Sequence, residues 1–293
     1  MVSHQKKGEK IMKTGLILEG GAMRGLFSAG VTDVFMENKI DFDGLIGVSA
    51  GAAFGCNYKS NQPGRTIRYN MTYSKGPRYC SFRSLIKTGD LYGADFCYRE
   101  LPEKLDIFDN ETFEKNPMEF HVVCTDVNTG KGVYKKFEVS DKNFYEWIRA
   151  SASMPLASKI VRVDGYSLLD GGIADSIPLK YFESIGFSKN VVILTQPECY
   201  VKKKNPLMPV MKIALRKYPD AVQAMANRHL NYNATLEYLK ERENSGDAVI
   251  IRPEVPLNIG KIEHDPEKMK RVYEYGRIVG EREIERVKEF LSK

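Results

Sequence analysis

The chain has 293 residues, 42% hydrophobic and 28% charged, with a formal net charge of +6, enough to bury the core of one enlarged α/β domain or of a catalytic domain with a helical extension. Its five cysteines, Cys56, Cys80, Cys97, Cys124 and Cys199, form no C-x-x-C pair, which argues against a disulfide framework and a structural zinc site and for a reducing cytoplasm. Half of the basic excess sits in the polar tail at 1–12 and at Lys13, and no nucleic-acid-binding signature accompanies the rest, so no nucleic-acid partner is expected.

Taken in chain order, residues 15–19 form an apolar run that enters Gly20-Gly21-Ala22-Met23-Arg24-Gly25, and apolar residues at 27, 31, 34 and 35 then carry a helical spacing. This is strand, loop, helix. A loop of small residues exposes backbone N–H groups, which suits it to hold a developing oxyanion. A second apolar run, 42–48, enters Gly47-Val48-Ser49-Ala50-Gly51. In a G-x-S-x-G elbow, Gly47 and Gly51 let the chain turn sharply enough to raise the Ser49 hydroxyl above the strand end.

Residues 61–75 read as loop passing into polar helix. The stretch 76–111 is rich in turns and aromatics, among them Tyr79, Tyr92, Phe96, Tyr98 and Phe108, which suit core packing or the rim of an acyl pocket. Strands are expected at 120–125 and 132–139 and a helix at 144–153, ending before Pro155. Leu168-Leu169-Asp170-Gly171-Gly172 then reads as a strand end presenting a carboxylate, or as an ordinary Asp-Gly turn. Beyond it come a buried strand at 191–194 and a Met-rich segment at 206–215 suited to a lid or to packing. A polar helix at 221–242, a strand at 248–253 and an amphipathic helix at 266–291 follow.

Two other glycine-loop chemistries fail on their own patterns. A dinucleotide loop needs G-x-G-x-x-G, and its second glycine is here Ala22; a Walker A loop needs a Gly-Lys-Ser/Thr that is absent. No acidic calcium loop or metal-ligand cluster occurs, so neither metal nor cofactor is implied.

Glu19 to Gly25, Gly47 to Gly51, Ala150-Ser151-Ala152-Ser153-Met154-Pro155 and Asp170-Gly171-Gly172, in this order, resemble the patatin-like phospholipase family across roughly 13–185. The resemblance implies an oxyanion hole from Gly20, Gly21, Ala22, Arg24 and Gly25, with Ser49 as nucleophile and Asp170 as its only side-chain partner. It also implies a lipid or acyl-ester substrate. The family's loop usually carries three consecutive glycines; here the third is Ala22, which costs little in extended backbone and more in a left-handed one. Arg24 stays protonated and is no base; it orients the loop, attracts an anionic head group or forms a pinning salt bridge. A carboxylate within reach of the serine can take its proton directly. A histidine triad would need His229 or His264, since His4 lies in the tail and His121 in a strand.

The expectation is a three-layer α/β/α fold with a mainly parallel central sheet and a C-terminal helical extension. Residues 13–185 are the catalytic core, 186–293 complete the same globular unit, and 1–12 form the tail. The expected activity is a cytoplasmic serine esterase of lipid metabolism, acting in lipid degradation through a Ser49-Asp170 dyad on phospholipid, lysophospholipid, glyceride or thioester. The alternative is a lipid-binding or regulatory protein with a weak or idle dyad. No apolar run of membrane-spanning length and no signal-peptide core is seen in the sequence, and the loop at Lys202-Lys203-Lys204 is either solvated or a weak contact with the inner face of an anionic membrane.

Overall fold

The computed structural model describes residues 12–292; apart from Met12, the expected tail lies outside the described residues, as do His4 and Lys293. The chain opens with β1 (Lys13–Leu18), in which Leu16, Ile17 and Leu18 are all buried, as befits a strand covered on both faces. A 3-10 turn at Ala22–Arg24 leads into α1 (Gly25–Glu37), followed by β2 (Gly44–Val48) and α2 (Ala50–Lys59). The aromatic insertion then folds as α3 (Arg65–Tyr73), α4 (Phe82–Thr88), a π-helical segment at Phe96–Leu105 and α5 (Asn110–Lys115). Side-chain caps fix two of its helix starts, with the Ser84 amide donating to Ser81 Oγ at 3.0 Å and the Thr112 amide to Asp109 Oδ1 at 2.9 Å.

Next come β3 (Glu119–Asp126), β4 (Gly132–Phe137) and α6 (Lys142–Ser151), the last capped by Asp141. They are followed by β5 (Val161–Val163), β6 (Tyr166–Asp170), α7 (Leu179–Ser184) and β7 (Phe187–Ile193). The chain closes with α8 (Met208–Ala214), α9 (Pro219–Asn244), β8 (Ala248–Ile251) and α10 (Pro266–Ser292). Proline opens both long helices, where its missing N–H costs no helical bond.

The strands form one sheet in the order β5-β6-β3-β2-β1-β7-β8, with β4 also paired to β3. The pairs β1-β2, β2-β3, β1-β7 and β7-β8 are parallel, while the pairs involving β4, β5 and β6 are antiparallel. Alternation along β1 divides the core between two faces. Leu16 and Leu18 join Phe27, Val31, Ala52 and Val272 on the side of α1, α2 and α10; Ile17 joins Ile46, Phe182, Tyr232 and Leu239 on the side of α7 and α9. The expected three-layer, mainly parallel architecture therefore holds.

The C-terminal helix is closely fitted to α1. A Cβ placed on Gly30 would lie 2.1 Å from the Tyr273 carbonyl oxygen, and one on Gly276 would lie 2.1 Å from that of Phe27, so glycine at both crossing points lets the backbones touch. On α8, Met208 and Met211 are buried while Val210 and Ile213 are exposed, so the Met-rich segment packs by one side.

Candidate active site

The site arises where β2 leaves the sheet. β2 pairs with β3 from Gly44 opposite Glu119 to Val48 opposite Val123, and then turns away at Ser49. β4 holds the other side of β3, so the vacated edge is taken by β6, running antiparallel, with Asp170 opposite Cys124. Ser49 ends one strand and Asp170 the other, on neighbouring steps of the same edge. The Asp170 carboxyl is 2% exposed and accepts a hydrogen bond from the Gly172 amide at 2.8 Å, and the Ser49 side chain is near enough to favour its ionised form.

Ser49 has φ 56° and ψ −122°, a conformation that L-residues adopt only when their surroundings impose it. The surroundings are specific. The Ser49 amide donates to Ser151 Oγ at 2.8 Å, and Ser151 Oγ donates to the Val123 carbonyl at 2.6 Å, so α6 ties the elbow to β3. A Cβ on Gly51 would meet the Leu18 carbonyl oxygen at 2.3 Å, so this glycine lets α2 close over the end of β1. The Asp170 amide donates to the Ser153 carbonyl at 2.8 Å, and Thr125 Oγ1 donates to the Asp170 carbonyl at 2.8 Å. The segment at 150–155 thus holds both residues at once.

The glycine-rich loop lies against the elbow. Its Arg24 amide donates to the Gly21 carbonyl and its Gly25 amide to the carbonyls of Ala22 and Met23, so of the amides expected to serve an oxyanion these two are spent on the turn. Those of Gly21 and Ala22 precede it. Ala22 sits at φ 49°, on the left-handed side, where its methyl is costly. Arg24 makes no ion pair among the described residues, and its Nε is buried without a partner, so the pinning salt bridge does not form. Pinning falls instead to Glu19, buried under the loop, whose carboxylate accepts from the Thr195 amide at 2.6 Å and from Tyr232 Oη at 2.7 Å.

Ser49 and Ala22 open into a cavity of about 340 Å³ walled by Tyr79, Tyr92, Tyr98 and Leu101 of the insertion. The aromatics that suited either core or pocket rim therefore serve both. Cys56, also in the wall, is pushed up to about 12 by burial and remains a thiol, so it offers no competing nucleophile. Burial raises the Asp170 carboxyl above its usual range, opposed first by Arg228 and then by Ser49, the Gly172 amide and Lys261.

No histidine among the described residues lines this cavity. His121 packs its ring against Phe182 and meets Glu119 at 3.2 Å, and His264 bonds the Ser74 carbonyl. No group of three or more His, Cys, Asp or Glu side chains suited to a metal is present among the described residues, nor is any helix there long and apolar enough to cross a membrane.

Residues 16–183 match the family described as patatin-like phospholipase, and residues 218–292 match a domain of unknown function, DUF6363. An uncharacterized protein of Escherichia coli, YjjU, is 29% identical over 63% of this chain and 52% of its own length. The lysophospholipase nte1 of Aspergillus niger is 23% identical over 94% of this chain and 18% of its own length. The chain spans about half the length, or less, of these curated relatives. The crystal structure of VipD from Legionella pneumophila aligns with 92% of this chain and 66% of that one, at 12% identity and a TM-score of 0.46.

Proposed function

The chain belongs to the patatin-like phospholipase family, and from that premise we propose that it is a serine acyl hydrolase acting on carboxylic esters of lipids through Ser49 and Asp170. The observation that carries the reading is the placement of Ser49 and the buried Asp170 carboxylate on neighbouring steps of one sheet edge, with Ser49 opening into an apolar cavity. Ser49 Oγ attacks the ester carbonyl while Asp170 takes its proton. The amides of Gly21 and Ala22 receive the negative charge on the carbonyl oxygen. Asp170 returns the proton to the departing alcohol, leaving an acyl-Ser49, and then deprotonates the water that releases the acid. The names of relatives such as lysophospholipase nte1 favour a lipid ester, and contact with a membrane surface belongs to the same proposal.

A second reading, a lipid-binding protein with an idle dyad, is favoured by one observation, the left-handed Ala22 in the oxyanion loop. Labelling with a fluorophosphonate separates the two. Labelling that vanishes in Ser49→Ala supports the hydrolase, whereas folded protein that takes no label supports the binding role. Ser49→Ala and Asp170→Asn are each expected to cut ester turnover by several orders of magnitude, and the double variant little further, because residues acting as a unit are non-additive. Folded His229→Gln and His264→Gln should stay within about tenfold of the parent, less than ~1.4 kcal/mol of barrier; a thousandfold loss in either would replace the dyad with a triad.

A further inference from the structure

Four cations from parts of the chain far apart in sequence lie within electrostatic reach of one another, and one of them lines the cavity that Ser49 opens into. Arg24 lies on the oxyanion loop with its Nε buried and unpartnered. Arg228, on α9, donates to the Gly172 carbonyl next to Asp170. Lys202 holds its ammonium 4.0 Å above the ring of Tyr232, whose hydroxyl bonds Glu19. Lys261 lines the cavity itself, and its carbonyl accepts from Tyr92 of the cavity wall at 3.2 Å.

None of the four makes an ion pair among the described residues. They act on one another instead. Burial brings Lys202 down to about 8, helped by Arg228, Arg24 and Lys261, and Lys261 is lowered by burial and then by Arg228 and Arg24. The carboxylates that oppose them are Glu19 and Asp170, and Glu19 is already saturated by Thr195 and Tyr232. Four positive charges face two negative ones, and clustered cations without ion pairs, one of them in the cavity wall, call for an anion.

Building on the hydrolase reading, we infer that Arg24, Lys202, Arg228 and Lys261 form a head-group subsite for a lipid ester carrying an uncapped phosphate, such as a lysophosphatidic acid. A zwitterionic head is the poorer match, because its quaternary ammonium would enter a site that already carries surplus positive charge. Three of the four residues lie beyond residue 183, where the family match ends, so the selectivity belongs to this chain's C-terminal part.

The test compares kcat/KM for lauroyl lysophosphatidic acid, lauroyl lysophosphatidylcholine and monolaurin. The parent should favour the phosphate monoester over both others by at least tenfold. Lys202→Gln and Lys261→Gln should each lower the ratio of phosphate ester to monolaurin by tenfold or more, and Lys202→Arg should restore it. A ratio that these substitutions leave unchanged, or a parent that prefers the choline ester, overturns the subsite. Titrating Ser49→Ala decides the matter without catalysis: lysophosphatidic acid should bind at least tenfold tighter than inorganic phosphate, and adding Lys202→Gln should weaken lysophosphatidic acid tenfold or more while leaving monolaurin unchanged. Equal binding of the two would overturn the lipid assignment in favour of free phosphate. A parent that hydrolyses none of the esters while its Ser49→Ala form binds the lipid as stated would end the hydrolase reading and keep the subsite.

Discussion

Two residues with positive φ face each other across the site, Ser49 at 56° and Ala22 at 49°. At Ser49 the strain follows from placing a hydroxyl on a strand-to-helix turn, and the Ser151 bridge and the close approach of Gly51 hold it there. At Ala22 a glycine would serve as well, since the left-handed conformation costs a residue with a Cβ on the order of 1 kcal/mol. Ala22→Gly is therefore expected to match or exceed the parent in thermal stability and to keep its turnover. A β-branched Ala22→Val should lose roughly 1–2 kcal/mol of stability and most hydrolysis. A valine variant with parental melting and turnover would show that the loop adopts another conformation in solution. Asp170 allows a prediction in pH. Burial raises its carboxyl and Arg228 is the chief group opposing that rise, so Arg228→Gln should raise it further. The acidic limb of the kcat/KM profile, where the base becomes protonated, should then move to higher pH; movement to lower pH, or none, would remove Asp170 from the role of base.

Elements, rather than single residues, decide how the carboxylate reaches the serine. Both glycine turns, the buried strands that enter them and the Asp-Gly-Gly strand end could be read from apolar runs stopped by glycines, because such runs report burial directly; the order of the strands in the sheet could not. Nor could the direction of β6. Leu168-Leu169 is apolar in either direction, and only the vacancy left beside β3 by the turn at Ser49 makes the antiparallel placement productive. Glu19, Ser151 and Thr125 were equally invisible as positioning groups, since a hydrogen bond between residues over a hundred positions apart, such as Ser49 to Ser151, leaves no periodic signal. The packing of α10 on α1 hides a further group of this kind. Asp33 on α1 is 2% exposed, accepts from Tyr273 Oη and the Gly64 amide, both at 2.7 Å, and is raised by burial from 3.8 to about 6. A raised folded-state value means that the folded protein holds this proton more tightly than the unfolded chain. The associated stability is present in full below about 3.8 and is lost as pH rises through about 6. Measured by denaturant unfolding, the stability of the parent relative to Asp33→Asn should thus grow by about 2 kcal/mol between pH 7 and pH 4. A flat or falling difference would show that Asp33 is ionised in the folded state.

For the whole molecule, the question is whether the family-matched part stands alone. The match ends at residue 183, yet the sheet continues through β7, which lies between β1 and β8, and α10 covers α1 through the Gly30 and Gly276 crossing. Ending the chain at residue 185 would strip the pairing partner from one edge of β1, exposing unpaired N–H and C=O groups beside the buried run Leu16 to Leu18. It would also uncover the face of α1 that meets α10. An unprotected apolar edge strand is a template for aggregation. The loss would extend to the proposed site, because Tyr232 and Thr195, which hold Glu19 beneath the glycine-rich loop, lie beyond the cut. A protein comprising residues 1–185 is accordingly expected in the insoluble fraction, or as a species without cooperative unfolding or fluorophosphonate labelling. The full chain should unfold in a single transition seen alike by far-ultraviolet circular dichroism and by Trp147 fluorescence. Soluble, folded and reactive protein ending at residue 185 would mean that the C-terminal segments are an appended module, and that the sheet closes adequately without them.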